Sequence, residues 1–182
     1  LMNLKQQFTL LQWIKYLHGF LKPVKGTYGA GALIIDGTGL SDFHQTFDEL
    51  LKKDTWILEE LIIQHPKMAE LCGTCVNTVR IPSIRTKGGI EILQPFLRAG
   101  RLGSIVDNAG AGGIIAVFDS QTGVVLTDGC SKHGEMFVKH PDTDIVFKGW
   151  QIPAYEDLLS LVRNVHLSLP TEAKMQSKSF LK

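Results

Sequence analysis

Three glycines, Gly26, Gly29 and Gly31, fall within six residues between two short apolar segments, 20–24 and 32–36. Glycine adopts positive φ angles at no steric cost, so a connection this rich in glycine allows the chain to reverse sharply. The pattern therefore predicts a β-hairpin with a glycine-rich tip. Because the loop leads into a strand, it differs from the dinucleotide-binding and P-loop motifs, in which the glycines open a helix.

The remaining pattern is typical of an α+β fold with mostly antiparallel strands. Apolar residues at helical spacing predict helices over 10–17 and 43–51. Pro153 suits the first turn of a last helix, which Pro170 ends. Runs rich in apolar and β-branched residues predict strands over 55–63, 75–85, 90–99, 114–119 and 124–127.

We expect two subdomains that meet near residues 60–66. The first, over 1–60, contains the glycine-rich hairpin, and the second covers 61–170. A basic tail over 171–182 follows. It contains three lysines and Glu172 as its one acidic residue.

Composition narrows the class of function. Nineteen Lys and Arg residues oppose eighteen Asp and Glu residues, so the formal net charge is +1. A non-specific nucleic-acid binder usually carries a larger positive excess, so we expect no nucleic-acid partner. No apolar run approaches the roughly 20 residues that span a bilayer. Three cysteines, an odd number, argue against a disulfide framework and favour a reducing cytoplasm.

Lys22 precedes the glycine-rich loop and is the first candidate for a binding residue. Backbone N–H groups around Gly26, Gly29 and Gly31 suit phosphate oxygens, and a strand-held lysine adds a point charge to the same phosphates. The alternative is a hairpin turn whose glycines only supply positive φ angles.

The second candidate is the end of the strand over 55–63. Glu59 and Glu60, with the backbone at Leu61 and Ile62, have groups that suit an adenine edge and ribose hydroxyls. The alternative is an exposed strand end with solvated carboxylates.

The third candidate group combines an amide, two arginines and an Asp-Asn pair: Asn77, Arg80, Arg98, Asp107 and Asn108. Guanidinium groups at strand ends suit carboxylate or phosphate recognition. The alternative is ordinary surface ion pairing, which contributes little to stability.

Two further motifs give weaker evidence of a functional site. Cys72 and Cys75 have the spacing of half a zinc or redox site, but Cys130 and His133 are the only candidates for the other half. We therefore predict no metal ligands in this chain. His140 precedes a proline and is expected in a turn.

In order along the chain, these motifs resemble the sugar-transfer-associated branch of the ATP-grasp ligases. Lys22-Pro23 with its glycines resembles the phosphate loop, and the segment ending in Gln64-His65-Pro66 resembles the hinge. The similarity covers roughly residues 20–170. The motifs that continue it are Val76–Ile81, Arg98–Gly100, Val106–Asn108, Gly112–Ile114, His140-Pro141 and Ile152-Pro153.

The resemblance implies an α+β protein that clamps ATP between two subdomains with antiparallel sheets. By position, Lys22 would contact the phosphates and the glycine loop would form a lid. Glu59, Glu60, Leu61 and Ile62 would line the adenine hinge, with the roles of the two glutamates left open. Catalytic positions facing phosphate or substrate would be Arg80, Arg98 and Asn108.

The family's activity would be the formation of an acyl phosphate from ATP and a carboxylate, followed by attack of an amine. The expected partners are ATP, Mg²⁺ and a small carboxylate or sugar-linked substrate, in cell-surface polysaccharide biosynthesis. The family's late acidic residue and Glu-x-Asn pattern, which hold the metal, have no counterpart after Pro170. The chain therefore resembles a shortened ATP-grasp unit, a fragment of a longer product, or a natural derivative without its metal site. The alternatives are a non-catalytic nucleotide- or glycan-binding module and a plain α+β interaction domain.

Overall fold

The computed structural model describes residues 19–25, 29–35, 49, 52 and 55–168, together with the backbone of 175–179. The helix predicted over 10–17 lies outside these residues, as does almost all of the one predicted over 43–51. Contacts divide the chain into two units, Leu1–Ile62 and Ile63–Lys182. Each unit is described by itself below.

The described part of the first unit is an antiparallel sheet in the order β2-β1-β3. Its strands are β1 (Gly19–Pro23), β2 (Leu33–Ile35) and β3 (Trp56–Glu60). Gly29 and Gly31 turn the chain between β1 and β2 with φ angles of 77° and 76°. These angles lie in the left-handed region that glycine tolerates best, so the predicted hairpin is present. Leu21 and Trp56 are buried.

The second unit contains an antiparallel sheet in the order β10-β4-β6-β7-β8-β9, with β5 paired to β4. The strands are β4 (Thr78–Thr86), β5 (Gly89–Ile92), β6 (Phe96–Ala99), β7 (Ile114–Val117), β8 (Gly129–Cys130), β9 (Met136–Phe137) and β10 (Met175–Ser179). Its helices are α1 (Pro66–Ala69) and α2 (Tyr155–Ser168). None of the helices in the described part of the chain has the length and apolarity needed to cross a bilayer.

Two differences from the sequence-based expectation have physical causes. The strand predicted over 90–99 is divided into β5 and β6, and Pro95, which has no N–H to donate to a ladder, lies in the break. Residues 175–179, expected within a basic tail, form β10 and pair with β4, with Lys178 in register with Arg80.

One face of this sheet forms the core of the second unit. Residues that alternate along β4, β6 and β7 are at most 1% exposed: Val79, Ile81, Leu97, Ala99, Ile114 and Ala116. Leu158, Leu159 and Val162 of α2 belong to the same cluster. Because side chains alternate along a strand, the intervening residues point to the opposite face. That face carries Arg80 and Arg98, and we call it the arginine face.

Candidate functional site

Lys22 lies on β1 and forms an ion pair within the sheet of the first unit. Its Nζ lies 2.6 Å from Oε1 of Glu59, and both side chains are partly exposed. Phe20 is the register partner of Glu59, so Lys22 and Glu59 are diagonal neighbours on one face. Glu60 follows directly and therefore points to the other face, where it is exposed. The two glutamates thus have different surroundings, and Glu59 is the one that accompanies Lys22.

The other residues predicted to bind ATP in this unit lie at its two loops. Gly29 and Gly31 form the turn after β1, and Ala32 N–H donates to the carbonyl of Gly29 at 3.1 Å. Gly26 lies outside the described residues. Leu61 and Ile62 directly follow β3, with Leu61 exposed. Their expected part in an adenine hinge remains a prediction.

In the second unit, Arg98, Asp107 and Thr78 form a buried cluster. Thr78 and Arg98 are register partners on β4 and β6. Nη2 of Arg98 lies 3.0 Å from Oδ1 of Asp107, and the side chains are 12% and 6% exposed. The Thr78 hydroxyl donates to Oδ2 of the same carboxylate. Asp107 therefore neutralises Arg98, and the ion pair is buried, unlike the surface pair considered as the alternative.

Arg80 lies two residues along β4 from Thr78, on the same face of the sheet. Its Nε is buried and has no hydrogen-bond partner among the described residues. A buried, unpartnered N–H of a charged group is costly, and such groups in native proteins usually meet a ligand or ordered water. Arg80 therefore has donor capacity that the described protein groups do not use, whereas Arg98 is engaged by Asp107.

Asn108 shapes the loop that follows the buried carboxylate. Its side-chain Oδ1 accepts a hydrogen bond from Gly110 N–H at 3.1 Å, and its carbonyl accepts from the N–H groups of Ala111 and Gly113. Gly113 packs against the backbone: an added Cβ would lie 2.8 Å from the carbonyl carbon of Asp107. This close approach requires glycine and fixes Asp107 and Asn108 beside the arginine face.

Asn77 is buried directly before β4 and makes several hydrogen bonds. Its Nδ2 donates to Gln64 Oε1, Met68 O and Cys72 O at 2.8–3.2 Å. Its Oδ1 accepts from Gly100 N–H at 2.9 Å. Asn77, predicted as a member of the third candidate group, therefore acts within the protein and connects α1, β4 and the end of β6.

His140 lies in the loop after β9 and extends this network. Its Nε2 lies 2.8 Å from the carbonyl of Gly100, and its Nδ1 accepts from the N–H of Asp142. Burial lowers the pKa of His140, so the neutral ring is favoured, with the proton on Nε2. Asp142 also accepts two hydrogen bonds from the Arg101 guanidinium, which lowers its pKa to about 2.

The sequence as a whole matches the family model described as sugar-transfer associated ATP-grasp, over residues 12–177. The chain belongs to this family. The resemblance inferred from the ordered motifs is confirmed, and so is the α+β fold with antiparallel sheets. No significant match is found among curated proteins or among solved structures.

Membership of the ATP-grasp family implies ATP binding, usually with Mg²⁺. In the first unit, the lysine beside the glycine turn is suited to an anionic group. In the second unit, the unused donor capacity at Arg80 is suited to one as well. Among the described residues, no three His, Cys, Asp or Glu side chains come together. Asp107, a buried carboxylate near the arginines, is already engaged by Thr78 and Arg98. We therefore assign no step to a metal.

Sequence reasoning missed the role of Gln64 and the partnership of Thr78 with Asp107. Gln64 donates to the carbonyls of Cys72 and Cys75 at 2.8 and 2.7 Å and orders the loop before β4. The sequence shows Gln64 in the Gln-His-Pro motif but does not show which groups it forms hydrogen bonds with. Thr78 and Asp107 are separated by 29 residues, and nothing in the spacing indicates that they meet.

Proposed function

We propose that this ATP-grasp chain is the ATP-binding core of a carboxylate–amine ligase-like protein. It would act through an acyl phosphate in cell-surface polysaccharide biosynthesis, in the cytoplasm. The observation that carries the proposal is the family match over residues 12–177, which includes both the lysine-glycine hairpin and the arginine face. The individual site residues are assigned below from their charge and geometry.

Lys22 is proposed to contact the ATP phosphates. It is held on a strand beside the glycine turn, and its ammonium group has one carboxylate partner, Glu59, in a partly exposed pair. Such pairs contribute little to stability, so exchanging a single carboxylate for a polyphosphate costs little and increases the opposing charge. Gly26, Gly29 and Gly31 would let the loop approach the phosphates closely.

Glu60, Leu61 and Ile62 are proposed to form the adenine hinge. Glu59 faces Lys22, whereas Glu60 points to the other face of the sheet at the end of β3, and this difference favours Glu60 for the hinge. The backbone groups of Leu61 and Ile62 lie beyond the last ladder pair, Gly19 with Glu60. They are therefore outside the β1–β3 ladder and suited to an adenine edge.

Arg80 is proposed to contact the transferred phosphoryl group or the carboxylate substrate. Its buried Nε has no hydrogen-bond partner in the part of the chain that the structure describes, and anions are the ligands that a guanidinium binds best. Arg98, neutralised by Asp107, would contribute its remaining N–H donors and hold the shape of the face. Asn108 would fix the loop at its edge.

The proposed reaction balances in two steps. A carboxylate oxygen attacks the γ-phosphorus of ATP, ADP leaves, and an acyl phosphate forms. An amine then attacks the acyl carbon, phosphate leaves, and the amine loses a proton. Phosphoryl transfer depends mainly on positioning and charge neutralisation, which Lys22 and Arg80 would supply.

A second candidate is a non-catalytic nucleotide- or glycan-binding module. The observation that favours it is the engagement of both oxygens of Asp107 by Thr78 and Arg98, which gives this carboxylate a role within the protein's own buried ion pair.

Two measurements on the full chain test the proposal. Isothermal titration with ATP, with and without Mg²⁺, should give heat of binding, and its absence for a folded sample would refute both candidates. An ADP-release assay with uronic acids and amino acids as carboxylates then separates them. Carboxylate-dependent ADP release supports the ligase, whereas ATP binding without release supports the module.

A further inference from the structure

Cys72 and Cys75 lie on the loop between α1 and β4, and their sulfurs are already in contact. The Sγ atoms are 3.4 Å apart, with Cys75 as the donor. Both side chains are buried, whereas Gly73 and Thr74 between them are exposed. A disulfide needs the two sulfurs about 2.05 Å apart, so they must come closer than in this reduced state for the bond to form.

The backbone around the two thiols is held by side chains from elsewhere in the second unit. The Gln64 amide donates to the carbonyls of both cysteines, and the Asn77 amide donates to that of Cys72. These bonds hold the main chain of the loop and do not involve the sulfur atoms.

We propose that Cys72 and Cys75 are a redox modification site that forms a reversible disulfide by exchange with a low-molecular-weight disulfide of the glutathione class. One thiolate attacks the reagent's S–S bond, giving a mixed disulfide and one reagent thiol. The second protein thiolate then attacks the bonded protein sulfur and releases a second reagent thiol. The protein loses two protons and two electrons, which end on the two reagent thiols. This inference does not depend on ATP binding.

The order of attack follows from the surroundings of the two sulfurs. Cys75 donates its thiol hydrogen to Cys72, packs against Gly100, and has a pKa raised by burial, so it is the poorer first nucleophile. Cys72 accepts that hydrogen and also lies 3.3 Å from the exposed Thr74 hydroxyl. The first attack therefore belongs to Cys72, and Cys75 resolves the mixed disulfide.

A zinc site is the competing explanation for a Cys-x-x-Cys pair. A structural zinc needs four ligands. Among the described residues no third His, Cys, Asp or Glu joins Cys72 and Cys75. Thiol exchange is therefore the chemistry that the described residues favour.

The test is peptide mapping of the full chain after treatment with oxidised glutathione and blocking of free thiols. Trypsin cleaves after Lys67 and Arg80, so both cysteines fall in one peptide, separate from Cys130. We expect this peptide to lose two hydrogens and to take up no blocking reagent, with reversal by dithiothreitol. The C130S variant, the matched control, should behave identically.

The single variants test the order of attack. C75S should accumulate a glutathione adduct on Cys72, and C72S should leave Cys75 unmodified. If Cys72 and Cys75 both remain fully available to the blocking reagent in the parent chain, the proposal is wrong and the pair is a packed element of the core. An adduct on Cys75 in C72S would overturn the assigned order. Circular dichroism of each variant establishes that it is folded.

Discussion

Oδ1 of Asp107 lies 3.0 Å from Nη2 of Arg98, and the two side chains form a buried ion pair between β6 and the loop before β7. The carboxylate accepts from Thr78 through its other oxygen. Both oxygens are therefore used within the protein. This arrangement fixes Arg98 in place and distinguishes it from Arg80, whose Nε has no partner among the described residues.

Removing the carboxylate should leave a buried guanidinium without its counter-charge. We expect D107A to lower the free energy of unfolding by about 3 kcal/mol, the usual cost of breaking a buried pair. The double variant D107A/R98M should lose less unfolding free energy than D107A, because it has no uncompensated buried charge. Urea unfolding followed by circular dichroism measures both. Losses that simply add would contradict a coupled pair.

Gly113 should tolerate no side chain. A Cβ there would meet the backbone of Asp107 and Asn108, which cannot move as a side chain can. We expect G113A to destabilise the chain by about 2 kcal/mol, as overpacking does. G110A is the matched control, because its Cβ would meet the Asn108 side chain at an ordinary 3.7 Å. Equal melting temperatures for the two variants would refute this account of the loop.

Acid should destabilise the second unit through His140. Burial lowers its pKa below the ordinary 6.5. At pH values between the lowered pKa of the folded chain and 6.5, the unfolded chain therefore binds more protons than the folded chain. The free energy of unfolding consequently falls as the pH drops below about 6.5. Asp142 adds a second loss as the pH falls from 3.8 toward its pKa of about 2.

The His140 effect is measured as the difference in unfolding free energy between pH 7 and pH 5. H140Q keeps a donor for the Gly100 carbonyl but does not titrate, so this difference should shrink. The exposed His133 provides the control, since H133Q should preserve the parent's pH dependence. An undiminished difference in H140Q would place the acid sensitivity elsewhere.

Glu59 and Glu60 should differ in their effect on ATP affinity. Glu59 competes with phosphate for Lys22, and a partly exposed pair contributes up to about 1 kcal/mol. E59Q should therefore tighten ATP binding about two- to fivefold, whereas E60Q should not tighten it. Titration calorimetry gives both dissociation constants. Tighter binding in E60Q with none in E59Q would reverse the assignment of the two glutamates.

The hairpin was predictable because positive φ angles favour glycine, and Gly29 and Gly31 both adopt them. The position of Arg80 and Arg98 on strands also followed from local pattern. The sequence did not predict that Arg98 has a carboxylate partner, because Asp107 contacts Arg98 and Thr78 across residues that are distant in sequence. The pairing of residues 175–179 with β4 is equally non-local. Local propensity does not determine which strand a segment meets.

Lys22 is proposed to bind the phosphates of ATP, and one pair of lysine variants separates this role from a general effect of positive charge. Lys22 and Lys25 carry the same charge three residues apart, but Lys25 is exposed and lies beyond the end of β1. Titration calorimetry of the full chain with ATP should show binding weakened tenfold or more in K22A, about 1.4 kcal/mol, and unchanged in K25A. ATP binding in K22A as tight as in the parent would contradict the account.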